Sequence, residues 1–106
     1  MIQYILTIGL FDRDDMIQHI ETLDALDMVR TALIGRFGIY AATLSTCYGV
    51  YRMASGEIVR EPSIRVEIAT DQDLSGTIDS ATQYLKWVLN QESIMVETRR
   101  SEISFR

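Results

Sequence analysis

Residues 48–68 read Tyr-Gly-Val-Tyr-Arg-Met-Ala-Ser-Gly-Glu-Ile-Val-Arg-Glu-Pro-Ser-Ile-Arg-Val-Glu-Ile. After Gly56 the even positions Ile58, Ile64, Val66 and Ile68 are apolar, and the odd positions Glu57, Glu61, Ser63, Arg65 and Glu67 are polar. A period of two describes a strand with one buried face. Ala54-Ser55-Gly56 suits a three-residue hairpin loop with Gly56 in the left-handed position. That loop pairs Val50 with Arg60 and Leu44 with Val66, so the even positions of both strands share a face. Pro62 has no N–H for the ladder and predicts a bulge or an edge at that point.

Working outward, residues 2–11 alternate with Ile2, Tyr4, Leu6, Ile8 and Leu10 on one side and Ile5 and Phe11 among the others. The partly apolar second side predicts a central strand. Residues 12–21 read as a polar loop. Thr22 is the predicted N-cap of a helix with Asp24 and Asp27 early in it, where the macrodipole favours acids. Leu23, Leu26, Val29, Leu33, Ile34 and Phe37 follow helical spacing, and Gly38 supplies the stop. The first hairpin strand spans 40–53. After a loop at 70–76, Ile78, Ala81, Leu85, Val88 and Leu89 mark a second helix with Tyr84 and Trp87 at its margins. Residues 92–98 form a last strand with Ile94 and Val96 inward. Residues 99–106 read as a C-terminal arm or a short extra strand.

The order β-α-β-β-α-β predicts an α+β, ferredoxin-like domain over residues 1–98, with a four-stranded antiparallel sheet and two helices on one face. Leu6, Ile8, Leu26, Leu33, Leu44, Val66, Leu85 and Val88 are its predicted core.

Composition narrows the functional classes. The chain has 106 residues, 47% of them apolar, and a net charge of −5. Segment 12–27 holds Asp12, Asp14, Asp15, Glu21, Asp24 and Asp27 against Arg13 alone, and so carries the whole net charge. An acidic total argues against direct nucleic-acid binding. No apolar run approaches the roughly 20 residues of a membrane span. Cys47 is the only cysteine, and the start reads as a strand and not a signal peptide, so the predicted location is cytoplasmic. Nine of the ten basic residues are Arg, which favours fixed, bidentate contacts.

No catalytic motif emerges. Asp12-Arg13-Asp14-Asp15 lacks the glycine and the distal glutamate of a calcium loop, so no metal site is assigned. His19 has Asp15 and Glu21 as possible orienting partners, but a lone histidine beside a helix start reads as a surface residue. Cys47 has no base or helix N-terminus to activate it. A bulge or an edge explains Glu61-Pro62-Ser63, with a polar recognition stripe of Glu61, Arg65 and Glu67 with Arg52 as the functional alternative, while Asn90-Gln91-Glu92-Ser93 reads as a helix stop. No cofactor is predicted, because phosphate loops and zinc spacings are absent. The sheet's open face combines Ile5, Thr7, Phe11, Cys47, Tyr51, Arg65, Glu67 and Met95, a mixture suited to a protein interface. Phe11, Tyr51, Arg65, Glu67 and Met95 are the candidate interface residues.

The second half resembles a family of small bacterial proteins of unknown function. The resemblance lies in Arg36-Phe37, in Tyr48-Gly49-Val50-Tyr51-Arg52, in Gly56 to Ser63 with its Arg-Glu-Pro-Ser ending, and in Gln91-Glu92-Ser93. It covers about residues 36–96, with Arg-Glu-Pro-Ser and Gln-Glu-Ser its most specific pieces. The usual member resembles a secreted or envelope protein, whereas this chain starts at a strand, and its first helix ends without the family's Pro. The resemblance implies the ferredoxin-like fold and no activity.

The sequence therefore predicts a non-enzymatic binding or regulatory domain, assembled as a homodimer through sheet face or edge, with Asp12, Asp14 and Asp15 offered to a protein partner. Two alternatives stand beside it. One is a phage or mobile-element-encoded acidic inhibitor of a host nucleic-acid-binding protein. The other is a cofactor-free dimeric α/β-barrel enzyme, which needs a polar cavity between sheet and helices near His19, Tyr48 or Trp87.

Overall fold

A computed structural model describes residues 1–106. Its elements are β1 (Ile2–Gly9), α1 (Thr22–Arg30), β2 (Thr43–Arg52), β3 (Ile58–Thr70), α2 (Ser75–Val88) and β4 (Met95–Arg100). The four strands form one antiparallel sheet in the order β2-β3-β1-β4. This is the predicted ferredoxin-like architecture. The hairpin register is the predicted one, with Val50 opposite Arg60 and Leu44 opposite Val66. Gly38, Gly56 and Asn90 take φ of 68°, 89° and 48°, the left-handed values that end α1, close the hairpin and end α2. No helix is long and apolar enough to cross a membrane.

The core lies between the sheet and the helices. Leu6, Ile8, Leu33, Val66 and Leu85 are fully buried in it, and Leu26, Leu44 and Val88 pack against its margin. The first helix departs from the predicted stripe. Leu23 is 74% exposed, Ile34 is also exposed, and the inward positions are Ala25, Val29, Ala32 and Leu33. From Thr31 to Arg36 a π-helical segment continues α1 with a wider turn. Extra residues per turn rotate the later positions away from the 3.6-residue stripe. The helix also starts at Thr22, with Glu21 as its N-cap.

Pro62 neither bulges nor marks an outer strand. It stands in unbroken register opposite Tyr48, in a strand with neighbours on both sides. Its carbonyl accepts the Leu10 N–H at 3.0 Å, one residue beyond the end of β1. In an antiparallel strand a residue's N–H and C=O point to the same side. The N–H that proline lacks would thus face a chain that is already leaving the sheet, so β3 is an edge locally and on that side alone.

Beyond this point β2 and β3 continue as a two-stranded ribbon to Arg52 and Ile58, while β1 ends at Gly9 and β4 begins opposite Thr7. The ribbon makes the molecule elongated, 45 × 26 × 24 Å. At the other end, Arg99 and Arg100 extend β4, and residues 101–106 follow without strand pairing.

Candidate functional site

The open face of the sheet is organised in rows across the strands. Glu67, Ile5 and Glu97 make one row; Arg65, Thr7 and Met95 the next; then Cys47, Ser63 and Gly9. The row after that holds Gly49 and Glu61, with Phe11 just past β1. Ile5 is only 1% exposed, although it lies on this face and outside the helix-side core. Its neighbours Glu67 and Glu97 are ion-paired to Arg65 and Arg99, each from the same strand. The aliphatic stems of these long side chains flank it.

Glu61 is the one acid on this face that backbone geometry fixes. Its Oε2 accepts the Phe11 N–H at 2.9 Å. The side chain leans over Gly9 so closely that a Cβ there would lie 2.6 Å from the carboxyl carbon. Gly49, on β2, stands directly opposite Glu61 and Cys47 opposite Ser63, so the floor around the carboxylate consists of small residues. Tyr51 borders it. Partial burial, and then the negative charge of Glu61, hold the Tyr51 phenol above its ordinary pKa.

The carbonyl of Phe11 is held as well. The buried Gln91 amide donates to the Phe11 carbonyl at 2.8 Å and to the Leu89 carbonyl at 3.1 Å. Arg-Glu-Pro-Ser and Gln-Glu-Ser, 30 residues apart in the chain, therefore converge on one residue, Phe11, just past β1. Sequence reading marked both segments but gave them separate explanations. Gly9 and Gly49 passed as ordinary strand residues, because nothing local reveals that a carboxylate crosses above one of them.

The candidate interface residues do not form one patch. Arg65 and Met95 flank Thr7 in one row, Glu67 pairs with Arg65 at 2.9 Å, and Phe11 and Tyr51 lie at the root of the ribbon. The acids of the 12–15 loop each have an internal partner. The Asn90 amide donates to Asp12 at 2.7 Å and to Asp14 at 2.9 Å, and His19 bonds Asp15 at 2.6 Å. The Asn90 bond, and next the Asp14 N–H, hold Asp12 below the usual carboxylate range. Asp12, Asp15 and His19 bring ligand atoms within 4.8 Å of one another. These contacts order the loop, and Asp14 and Asp15 stay exposed to solvent. His19, Tyr48 and Trp87 are not brought together: the space between sheet and helices is the apolar core, Tyr48 is on the ribbon and Trp87 is exposed.

A cavity of about 820 Å³ lies elsewhere, at the end of the sheet where β3 finishes. Phe37, Tyr40 and Phe105 stand around it, above Ile39 and Ile68.

No protein-family model and no curated protein matches this chain. Solved structures do. A phage SAM lyase in complex with S-methyl-5'-thioadenosine is 25% identical, with a TM-score of 0.66, over 92% of this chain and 79% of that one. A phage SAM lyase in its apo state aligns at 24% identity and a TM-score of 0.71, over 92% of this chain and 78% of that one. The periplasmic divalent cation tolerance protein CutA from Archaeoglobus fulgidus aligns over all of this chain and 89% of its own, at 9% identity and a TM-score of 0.66. The CutA likeness is one of fold alone.

Proposed function

We propose that this chain cleaves S-adenosylmethionine without a cofactor, releasing S-methyl-5'-thioadenosine. The observation that carries this reading is the Glu61 carboxylate, pinned by the Phe11 N–H over Gly9 and beside Tyr51. The likeness to the phage SAM lyase supplies the substrate class. A sulfonium nucleoside is a cation, and a fixed carboxylate beside an aromatic ring attracts cations.

The reaction balances without an external reagent. The bond from sulfur to the amino-acid arm breaks, and sulfur keeps the electron pair as a neutral thioether. The arm's own carboxylate oxygen closes onto the carbon that sulfur leaves, giving a five-membered lactone. Holding the arm in a ring-closing conformation is the main work of such a site, because proximity alone is worth many orders of magnitude in rate. The reacting carboxylate and sulfonium lose charge together, so attraction to Glu61 is stronger in the ground state than in the transition state. Glu61 is therefore a binding and orienting group and not a general base.

The assembly proposed with this activity is homo-oligomeric. The helix-side face of the ribbon carries Tyr48, Val50 and Ile58, all exposed, where no helix reaches. A two-stranded ribbon is marginal in water alone. A second copy is the cover that the chain itself can supply, and the open-face residues Phe11, Tyr51, Arg65, Glu67 and Met95 offer a further contact on the opposite face of the sheet.

The test is incubation of the purified protein with S-adenosylmethionine and chromatographic measurement of methylthioadenosine. Wild type forms it above the spontaneous rate, and Glu61→Gln raises KM about tenfold or more, as loss of a charge-assisted contact implies. A folded wild-type protein that forms none refutes the reading.

A further inference from the structure

We infer that Gln91 is a positioning residue for the Glu61 carboxylate and acts on it through Phe11. The inference rests on the reading of Glu61 as the group that binds and orients the substrate.

Glu61 is held by one donor, the Phe11 N–H at 2.9 Å. Phe11 lies beyond the last residue of β1, so no sheet ladder sets the direction of that N–H. Two anchors set it instead. On one side the Leu10 N–H donates to the Pro62 carbonyl at 3.0 Å. On the other the Phe11 carbonyl accepts the Gln91 amide at 2.8 Å. The peptide that carries the Phe11 N–H lies between these two tied peptides, and rigid peptide planes leave it little freedom to turn.

Gln91 is suited to be the second anchor. It is 6% exposed, and its amide nitrogen also donates to the Leu89 carbonyl at 3.1 Å, at the end of α2. Both amide hydrogens are therefore used, and the amide plane is fixed relative to the helix. Asn90 reinforces the tie, since its carbonyl accepts the Arg13 N–H at 3.1 Å and its side chain holds Asp12. Water could satisfy the Phe11 carbonyl, but it would not fix a direction. Gln91 makes no hydrogen bond to Glu61 itself, so its influence on the carboxylate passes through Phe11.

Hydrogen exchange by NMR tests the link on the full chain without a substrate. Gln91→Met keeps the side chain's length and removes both donors. The Phe11 amide then exchanges about tenfold or more faster, beyond any change at the Leu6 amide in the centre of the sheet, because the loss is local. Glu61→Ala speeds the Phe11 amide in the same way. Should Gln91→Met not fold, Gln91→Asn withdraws the amide by one methylene and gives the same order of effects. In turnover of S-adenosylmethionine, Gln91→Met raises KM about threefold or more while kcat changes less, as displacement of a binding group implies. In a Glu61→Ala background the same substitution adds less than about twofold to KM, because its route to the substrate is gone. Phe11 exchange that changes no more than that of Leu6 overturns the inference and leaves Gln91 a purely structural residue. So does a KM effect that persists undiminished without Glu61. A wild type that forms no methylthioadenosine refutes the lyase reading, whereas the exchange result separately tests whether Gln91 holds Glu61 in place.

Discussion

Gly9→Ala is the sharpest probe of the Glu61 site. The added methyl would lie 2.6 Å from the Glu61 carboxyl carbon, where ordinary contact begins near 3.4 Å. The carboxylate must therefore retreat by about 0.8 Å or more. It is the far end of a flexible side chain, so the retreat is accommodated by rotation, and the 2.9 Å bond from the Phe11 N–H is lost. For stability the effects oppose one another. Alanine restricts the unfolded chain and is worth about 0.4–1 kcal/mol where its backbone conformation is allowed. The lost bond to a charged group costs about 1.5–3 kcal/mol in a buried setting, and less where water replaces it. The expected net loss is about 1 kcal/mol, a modest shift in the denaturant midpoint with an unchanged slope. For function no such offset exists, since displacement of a positioning group by about 1 Å costs up to about 100-fold in rate. The assay pairs a denaturant melt with methylthioadenosine formation, and kcat/KM falls at least tenfold. Wild-type kcat/KM in Gly9→Ala refutes the argument that the position of this carboxylate matters. A loss above about 3 kcal/mol would instead place Gly9 in a purely structural role.

The other expectations concern packing, the acidic loop and assembly. Leu33→Ala, fully buried, costs about 2–5 kcal/mol, whereas Leu23→Ala, mostly exposed, costs under about 0.5 kcal/mol; chemical denaturation distinguishes them. Asn90→Gly keeps the left-handed backbone but removes the amide that holds Asp12 below its ordinary pKa. An NMR titration then shows the Asp12 pKa rising towards the usual carboxylate value. Because that pKa is depressed in the folded wild type, the stability it confers is present above the unfolded value and lost as pH falls through the folded one, and the variant loses this acid dependence. Sedimentation equilibrium at micromolar concentration gives a multiple of the 12.1 kDa chain mass for wild type, and Val50→Arg with Ile58→Glu shifts it towards one chain; a wild-type monomer without concentration dependence removes the assembly proposal.

Period-two alternation after Gly56 and the Gly56 turn were enough to define β2, β3 and their register, because side-chain direction in a strand is a local property and a one-residue slip would turn Ile64, Val66 and Ile68 to water. The same holds for β1 and for the stops at Gly38 and Asn90, where backbone conformation follows from residue type. The first helix was legible in extent to Arg30, but not in its inward face, since Leu23 already faces water. Its π-helical continuation answers to packing against the sheet, so Leu33 faces the core and Ile34 faces water with no local sign of the difference. Pro62 shows the same division: its missing donor is visible in the sequence, but its tolerance depends on β1 stopping just before Leu10, 52 residues away. The candidate site lies on the tertiary side of that line. Gly9, Phe11, Glu61 and Gln91 come from three distant segments, and a carboxylate acquires a fixed position only when folding supplies the N–H that holds it and the absent side chain that makes room.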